Sequence, residues 1–413
     1  MIKFILSFLL ICFSLINHTE TNYKTLKNHK PSPEKIPVTF EAHGVKRVDN
    51  YYWMRDDSRK DPKVIEHLNS ENDYLENWFL SGTDRRDELF EEITARIPKK
   101  EDSVPIRLNN YEYFRRYEPD NEHAIYIRRK NKNSEENIIM DVNELAKDKE
   151  FYQLANWSIS PDENIMAYAE DSNGRRQYSI KFKYLDTNLT ASYSIKNTSG
   201  DMAWSLDGKY LFYVLRDEET LLPYKLYRHE IGTNQDQDIE VYEEKDDTFY
   251  LSVGNTRSMD YIEVNISSTT SSEVRLIDSK FPETQPEIFL TREKDHLYSV
   301  DHDPSSSRFL VESNWQAINF RLLETNLENS KDKGQWKELI PHREDVLLQS
   351  VVPFPNHLVI MEREEGLRNI KILEKESNSL KSINFNDPTY TCLLYTSDAA
   401  DEGLGVDLGG RRI

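Results

Sequence analysis

Short segments that alternate polar and apolar residues recur along most of the chain, and the clearest example lies at residues 160–186. Tyr178 opens the segment YSIKFKYL, whose apolar side chains share one face of a β-strand. Ile165 opens a shorter segment of the same kind. Asn173 and Gly174 lie between the two, and this dipeptide favours a tight hairpin because both residues tolerate positive φ. The pattern therefore predicts a β-hairpin.

This pair of segments is repeated along the chain. The first segments begin near Tyr111, Ile165, Tyr210, Tyr261, Arg308 and His357. The second segments begin near Ala124, Tyr178, Tyr224, Glu273, Asn319 and Asn369. Both series keep a period of about 48 residues, and periods of about 40–50 residues with several strands each are typical of propeller blades.

The repeats predict a mainly β protein with a β-propeller over residues 103–391. About six blades are complete, and residues 381–391 resemble the start of a truncated seventh. Polar turns separate the segments, for example at Ser160-Pro161-Asp162, Leu206-Asp207-Gly208 and Asp303-Pro304-Ser305. An ordinary β-sandwich is the alternative, but its strands come at about 8–12-residue spacing without a longer repeat.

Two helical segments precede the repeats, within residues 38–102, and they cannot belong to a blade. Asp61 and Pro62 suit the N-cap and first position of a helix that Ser81-Gly82 ends. The apolar side chains at helical spacing in this helix are Val64, Ile65, Leu68, Tyr74, Leu75, Trp78 and Phe79. A second helix is predicted at 84–97, with Leu89, Phe90, Ile93 and Ile97 on one face. These apolar faces need a partner surface, which is either the propeller rim or a second domain.

The two ends of the chain have a different composition. Residues 1–20 contain Lys3 and an apolar run at 4–16, which is typical of a signal peptide, although an uncleaved anchor is an alternative. Residues 21–37 are polar with three prolines and predict a linker. Residues 392–413 lose the alternating pattern, and we interpret them as a tail that is not native to the protein.

Charge and cysteine content exclude some classes of function. The net charge is −20, from 53 Lys and Arg against 73 Asp and Glu, which argues against nucleic acid as a partner. The acidic balance suits either a cationic ligand or a solvated acidic surface. Cys12 and Cys392 are the two cysteines, and they build neither a disulfide framework nor a metal site.

The sequence contains no recognisable catalytic motif. It lacks a Gly-x-Ser-x-Gly elbow, a His-Glu-x-x-His pair and a P-loop. The cluster Asp301-His302-Asp303 could orient a general base, but its position before a strand favours a surface turn. The acidic pairs Asp56-Asp57, Glu91-Glu92 and Glu364-Glu365 are poor candidates for a shared acid–base site. The residues therefore predict no catalytic residue, no cofactor and no metal.

Three separated segments, at 43–74, 151–186 and 385–391, resemble the oligopeptidase B group of the prolyl oligopeptidase family of serine peptidases. The first contains Asp49-Asn50-Tyr51-Tyr52-Trp53 followed by Arg55-Asp56-Asp57, which favours this group over the post-proline cleaving relatives. The second contains the Ser160-Pro161-Asp162 turn and the Gly174-Arg175-Arg176 hairpin, and the third resembles the start of the last blade.

The resemblance implies a two-domain serine endopeptidase. An α/β-hydrolase domain would carry a Ser-Asp-His triad, and a seven-bladed propeller would limit access to short peptides. The helices at 61–97 would pack on the hydrolase domain. The group cleaves after Lys or Arg, so short basic peptides are the implied substrates.

The sequence departs from the family in two ways. The 413 residues contain no hydrolase domain, so no catalytic residue can be carried over and the chain by itself is expected to be inactive. The apolar N-terminal segment implies a secreted or periplasmic location if it is used as a signal, and a cytoplasmic one otherwise. A stand-alone propeller that binds peptides or proteins, or a fragment of a post-proline cleaving relative, remain the alternatives.

Overall fold

The computed structural model describes residues 30–80, 83–119 and 121–392. They fall into two compact units, one within 1–99 and the other within 100–413. The predicted signal peptide at 1–20, the helix stop at Ser81-Gly82 and all of the predicted tail beyond Cys392 lie outside the described residues. In the described ranges, no helix combines the length and apolarity that a membrane span requires.

The first unit combines a hairpin with two helices. Strands β1 (Val38–Ala42) and β2 (Val45–Asp49) pair antiparallel. A 3₁₀ turn at Tyr52–Met54 leads to helices α1 (Pro62–Leu80) and α2 (Thr83–Ala95). Asp61 caps α1 as predicted, because its Oδ1 accepts a hydrogen bond of 2.8 Å from Lys63 N.

The second unit is built from antiparallel sheets, which we number as blades. Blade 1 contains β3 (Glu101–Asp102), β4 (Ile106–Leu108), β5 (Tyr111–Tyr117), β6 (Ile125–Arg129) and β7 (Asn137–Asp141), followed by the short helix α3 (Val142–Ala146). Blade 2 contains β8 (Gln153–Ile159), β9 (Ile165–Asp171), β10 (Tyr178–Tyr184) and the first part of β11 (Leu189–Trp204). Blade 3 contains the rest of β11, β12 (Tyr210–Arg216), β13 (Pro223–Glu230) and β14 (Ile239–Glu243).

Three further blades follow the same plan. Blade 4 contains β15 (Tyr250–Asn255), β16 (Tyr261–Ser267), β17 (Ser272–Asp278) and β18 (Glu287–Leu290). Blade 5 contains β19 (Tyr298–His302), β20 (Phe309–Ser313), β21 (Arg321–Thr325) and β22 (Lys337–Ile340). Blade 6 contains β23 (Val346–Pro353), β24 (His357–Glu364), β25 (Leu367–Glu374) and β26 (Leu380–Ser382). Short 3₁₀ turns lie at Gln235–Gln237 and Lys333–Gln335.

The predicted mainly β propeller is confirmed, with six blades in the described residues. The two repeated sequence segments are the second and third strands of each blade. The structure adds a first and a fourth strand to every repeat. It also corrects one boundary: Lys381 and Ser382 lie in β26, which completes blade 6 and does not begin a seventh. The seventh blade stays a prediction.

The predicted tight hairpin at Asn173-Gly174 is wrong. Six residues separate β9 from β10, and the Asp171 carboxylate organises this loop by accepting hydrogen bonds from the amides of Asn173, Gly174 and Arg176. A carboxylate that satisfies three backbone donors stabilises a wider loop than the dipeptide alone suggests.

A two-residue hairpin occurs instead between β24 and β25. Its residues are Glu365, with φ of 50°, and Gly366, with φ of 84°. Both central residues thus have the positive φ that a type I′ turn requires.

The cores lie between blades, where facing sheets exclude water from each other. Between blades 3 and 4, Phe212 and Leu226 pack in one cluster with Val253 and Val264. Between blades 4 and 5, Phe289 and Phe309 meet with ring centroids 5.3 Å apart. A single four-stranded sheet cannot bury both of its faces by itself, so each blade needs the two neighbouring blades to cover them.

Side-chain hydrogen bonds to the backbone join strands of neighbouring blades. Asn255, at the end of β15, accepts a hydrogen bond from Trp204 N and donates one to Trp204 O, both at 2.9 Å. Ser272, at the start of the third strand of blade 4, makes the same kind of double link to Tyr298 in the first strand of blade 5, accepting from its N–H and donating to its carbonyl at 2.7 Å. Because the first strands of successive blades approach each other, they lie nearest the propeller axis.

We expect Asn255→Ala to lower the free energy of unfolding by about 2 kcal/mol, because it leaves both backbone groups of the fully buried Trp204 without partners. Urea denaturation followed by tryptophan fluorescence measures the change. Asn133→Ala, at an exposed turn position, is the matched control, with an expected change below about 0.5 kcal/mol. Equal effects of the two substitutions would contradict a linking role for Asn255.

Candidate functional site: the channel mouth of the propeller

The turns that follow the first strand of every described blade meet around one pocket. The pocket has a volume of about 1020 Å³, and all six described blades contribute to its lining. The contributing residues are 107–110, 113, 156–161, 163, 202, 206, 255–259, 304 and 353–355. Because the first strands surround the axis, this pocket is one end of the propeller channel. We call it the channel mouth.

Hydroxyl side chains close several of these turns in the same way. Ser160 Oγ accepts a hydrogen bond from Ile165 N, and Ser205 Oγ accepts one from Tyr210 N, both at 2.9 Å. The Asp two residues later accepts the hydroxyl proton in both turns. Two of the polar turns predicted from the sequence therefore hold the mouth at blades 2 and 3.

The charges at the mouth are mixed and do not follow the acidic balance of the chain. Arg107, Arg257 and Glu163 are its charged lining residues. The Glu163 carboxylate accepts hydrogen bonds from Asn110 N and Asn110 Nδ2, at 3.1 and 2.8 Å, which join blade 1 to blade 2. Arg257 lies over the Phe354 ring, 4.9 Å from its centroid. Guanidinium groups and aromatic faces suit peptide carboxylates and apolar side chains.

Asp301-His302-Asp303 is not a surface turn, so this prediction is wrong. His302 and Asp303 are 5% and 0% exposed, because packing between blades encloses the end of β19. Asp301 Oδ1 accepts a hydrogen bond from Arg257 N, at 2.9 Å, and so points to blade 4. The carboxylates of Asp301 and Asp303 thus accept hydrogen bonds from different residues.

His302 contacts a hydroxyl of the channel mouth. Its Nδ1 lies 2.8 Å from Ser258 Oγ, and burial lowers the pKa of His302. Ser258 Oγ also accepts a hydrogen bond from Asp260 N and lies 3.1 Å from Thr256 Oγ1. These contacts hold the blade 4 turn closed, so the Ser258–His302 pair stabilises the mouth.

Asp303 joins blade 5 to blade 6. Its carboxylate accepts hydrogen bonds from Arg308 Nε, at 2.9 Å, and from Lys375 Nζ and Ser305 Oγ, at 2.6 and 2.7 Å. Burial alone would raise the pKa of Asp303, but the bonds from Lys375, Ser305 and Arg308 outweigh it and lower the pKa to about 2. The charged Asp303 carboxylate therefore stabilises the contact between blades 5 and 6.

The acidic pairs have structural roles as well. Asp56 lies before α1, where its carboxylate accepts hydrogen bonds from the Ser58 hydroxyl and the Asp61 amide, which lower its pKa to about 2. Glu92 pairs with Arg96 on the surface of α2. Glu364 and Glu365 lie at the β24–β25 hairpin. None of these pairs belongs to the channel mouth.

One buried histidine–carboxylate pair was not predicted from the sequence. His229 Nδ1 lies 2.7 Å from Asp238 Oδ1, and Tyr213 donates a hydrogen bond of 2.9 Å to Asp238 Oδ2. The side chains of His229 and Asp238 are 0% and 1% exposed. The Phe182 ring stacks on the imidazole, so a substrate could not reach it without opening the core. This pair is part of the fold.

Sequence reasoning also missed the residues that give the mouth its character, among them Arg107, Asn110, Arg257 and Phe354. The available signal was position along the repeat, since Asn110, Arg257 and Phe354 each follow the strand that precedes the repeated segments of their blade, and Arg107 lies within that strand, β4. In residues 30–80, 83–119 and 121–392, no three metal-ligating side chains lie close enough to hold an ion.

Comparisons with known proteins agree with this architecture. Residues 30–404 match the family described as "Prolyl oligopeptidase, N-terminal beta-propeller domain". The chain is 34% identical over 370 residues to dipeptidyl aminopeptidase BI of Pseudoxanthomonas mexicana, covering 84% of this chain and 50% of that protein. It is 30% identical over 379 residues to protease 2 of Moraxella lacunata, covering 90% and 54%.

A solved structure gives the same result. Oligopeptidase B from Leishmania major aligns with a TM-score of 0.82 and 29% identity, covering 88% of this chain and 54% of that one. The chain thus spans about half the length of the curated relatives that it matches.

We expect Asp303→Asn to destabilise the protein by about 2 kcal/mol at pH 7. The substitution removes a negative charge that the folded protein stabilises, as the folded pKa of about 2 shows. The stabilisation is complete above the unfolded pKa of 3.8 and is lost as the pH falls through about 2. Unfolding measured from pH 7 to pH 2 should show this loss in the wild type only. Asp247→Asn, at an exposed turn position, is the control. Parallel pH profiles for wild type and D303N would contradict the role of Asp303.

The pKa of a second carboxylate, that of Glu312, is shifted in the opposite direction from the pKa of Asp303. Glu312 Oε1 accepts a hydrogen bond of 2.6 Å from Val351 N, which links blade 5 to blade 6. Burial raises the pKa of Glu312 to about 8 against this bond, and the nearby Asp301 carboxylate adds to the rise.

We expect Glu312→Gln to stabilise the protein at pH 8 and to leave it unchanged at pH 4. Because folding raises the pKa of Glu312, the carboxyl costs stability as the pH climbs from its unfolded pKa of 4.5 to about 8, while the amide keeps the acceptor for Val351. Thermal unfolding at both pH values measures the difference. Glu328→Gln, at an exposed position, should change neither. A lower unfolding temperature for E312Q at pH 8 would overturn the expectation.

Proposed function

Because the chain belongs to the prolyl oligopeptidase family of serine peptidases and contains its N-terminal β-propeller domain, we propose that it is the propeller part of an endopeptidase that cleaves short peptides after Lys or Arg. The carrying observation is the match to this domain over residues 30–404, together with an oligopeptidase B fold at a TM-score of 0.82. The relatives are about twice as long as the matched region.

In this proposal the propeller controls which peptides reach the catalytic centre. The support is geometric, since all six described blades surround a mouth of about 1020 Å³. Such a volume accepts a short, flexible peptide, whereas a folded protein is far too large. The mouth has two arginines and one glutamate, so selectivity for Lys or Arg side chains is assigned to the hydrolase domain.

The first unit is proposed to bind that α/β-hydrolase domain. Helices α1 and α2 expose large apolar side chains that a solvated helix would not favour. The exposed residues are Ile65, Leu68, Leu75, Trp78, Leu89, Phe90 and Ile93, at 41% to 54% each. Exposed apolar residues clustered on neighbouring helices are typical of an interface. The catalytic Ser, Asp and His would then come from the hydrolase domain, and the 413 residues alone would lack peptidase activity.

A second candidate is a dipeptidyl aminopeptidase, which removes dipeptides from a free N-terminus. The observation that favours it is the 34% identity to dipeptidyl aminopeptidase BI of Pseudoxanthomonas mexicana. Both candidates share the serine peptidase chemistry and differ in whether a free amino group is required. A post-proline cleaving relative and a stand-alone peptide-binding propeller are the remaining alternatives.

The first experiment is to sequence the gene across the codon for Thr391. We expect the reading frame to continue into a hydrolase domain with a Gly-x-Ser-x-Gly elbow. The full-length product is then assayed with coumarin peptides: an N-terminally blocked Arg substrate, a blocked Pro substrate and an unblocked dipeptide substrate. The matched control replaces the elbow serine by alanine.

The outcomes separate the candidates. Cleavage of the blocked Arg peptide supports the endopeptidase, and cleavage of the unblocked dipeptide alone supports the aminopeptidase. Preference for the Pro peptide indicates the post-proline relative. A stop codon soon after a completed seventh blade would overturn the peptidase proposal and favour the binding module.

A further inference from the structure

A second pocket lies at the seam between blades 1 and 2. Its volume is about 450 Å³, which is within the usual size of small-molecule sites. It shares Arg107, Asn110 and Glu163 with the channel mouth, so the two pockets adjoin. We call the second one the seam pocket.

Three cations line the seam pocket: Arg107, Arg128 and Lys130. Arg107 donates only to backbone carbonyls, those of Asn109 and Lys130, at 3.1 and 2.6 Å. Arg128 Nη1 likewise donates to the Glu163 carbonyl at 2.8 Å. Within the part of the chain that the structure describes, none of the three has a carboxylate oxygen within 4.0 Å. The seam pocket thus brings three cations together without an ion pair, in a chain of net charge −20.

Arg128 is the buried member of this group. It is 7% exposed, its guanidinium lies 4.4 Å from the Tyr111 ring centroid, and its Nε has no hydrogen-bond partner among the described residues. A buried guanidinium group with a free donor is costly unless something accepts from it. An anion in the pocket would supply that acceptor.

The two carboxylates of the pocket are already occupied by neutral donors. Glu163 is bonded by Asn110, as described above, and Asp162 accepts hydrogen bonds from Ser160 Oγ and Asn164 Nδ2, at 2.5 and 2.8 Å. They hold the turn between β8 and β9 and leave the three cations to face the cavity. The lining thus carries three positive charges against two negative ones.

We propose that the seam pocket binds a small anion through a carboxylate or phosphate group, with Arg107, Arg128 and Lys130 as the binding residues. Both groups present several oxygen acceptors to a guanidinium fork, which is the geometry that arginine favours. The amide side chains of Asn110, Asn131 and Asn164 line the same cavity and can bond the rest of the ligand. A bound anion would also link blades 1 and 2 next to the channel mouth.

Calorimetric titration of the full chain in a low-chloride buffer tests the proposal. The probes are inorganic phosphate, N-acetyl-tetraalanine with a free carboxylate, and its C-terminal amide. We expect Lys130→Gln and Arg107→Gln, at exposed positions, each to weaken binding about tenfold. Lys132→Gln, two residues along the same turn and outside the pocket, should leave binding unchanged.

The probes distinguish the sources of the anion. Binding of the free peptide but not of its amide identifies a carboxylate ligand, and binding of phosphate alone identifies a phosphate ligand; both support the site. Failure of all probes at millimolar concentration overturns it. So does binding that K130Q and R107Q leave intact while both variants keep the wild-type unfolding temperature. The assay does not use peptidase activity, so its failure is independent of the proposed function.

Discussion

The structure depends on the burial of both faces of each blade. A four-stranded sheet whose strands alternate apolar residues on two sides cannot stand alone in water, and the radial arrangement solves this by giving each sheet two neighbours. Strand β11 belongs to two neighbouring blades, because its first part pairs with β10 in blade 2 and its last part with β12 in blade 3. Gly200, with φ of 92°, lies between the two parts, where a Cβ would come within 3.1 Å of the Tyr178 ring. The chain therefore turns from one blade to the next at this glycine.

Apolar packing alone does not set how the blades align along the axis, and polar side chains supply this register. Asn255, Ser272, Glu163 and Asp303 each satisfy groups of a neighbouring blade. Hydrogen bonds are directional and depend steeply on distance, so a shifted blade would leave buried polar groups unpaired. Asn255, Glu163 and Asp303 lie at the end of a first strand or in the turn that follows it. Three of the interactions that align the blades therefore also hold the turns around the channel mouth.

This arrangement separates the charge of the surface from the charge of the cavities. The chain has 73 acidic against 53 basic residues, yet the channel mouth has two arginines to one glutamate and the seam pocket has three cations to two carboxylates. The carboxylates of both cavities are held by neutral donors. Net charge is thus a poor guide to what such a propeller binds, because ligands meet the local charges and salt screens the remote ones.

The sequence by itself determined the class of the fold, because a strand's side-chain alternation and a repeat of about 48 residues are local properties of the chain. It also determined the start of α1 at Asp61-Pro62, where capping involves adjacent residues only. Tertiary structure decided the rest. The Asn173-Gly174 hairpin became a wider loop, His302 and Asp303 became buried links, and Lys381 joined the sixth blade. The cavities also belong to tertiary structure, since Arg107, Glu163 and Arg257 are up to 150 residues apart and meet only when the blades close around an axis.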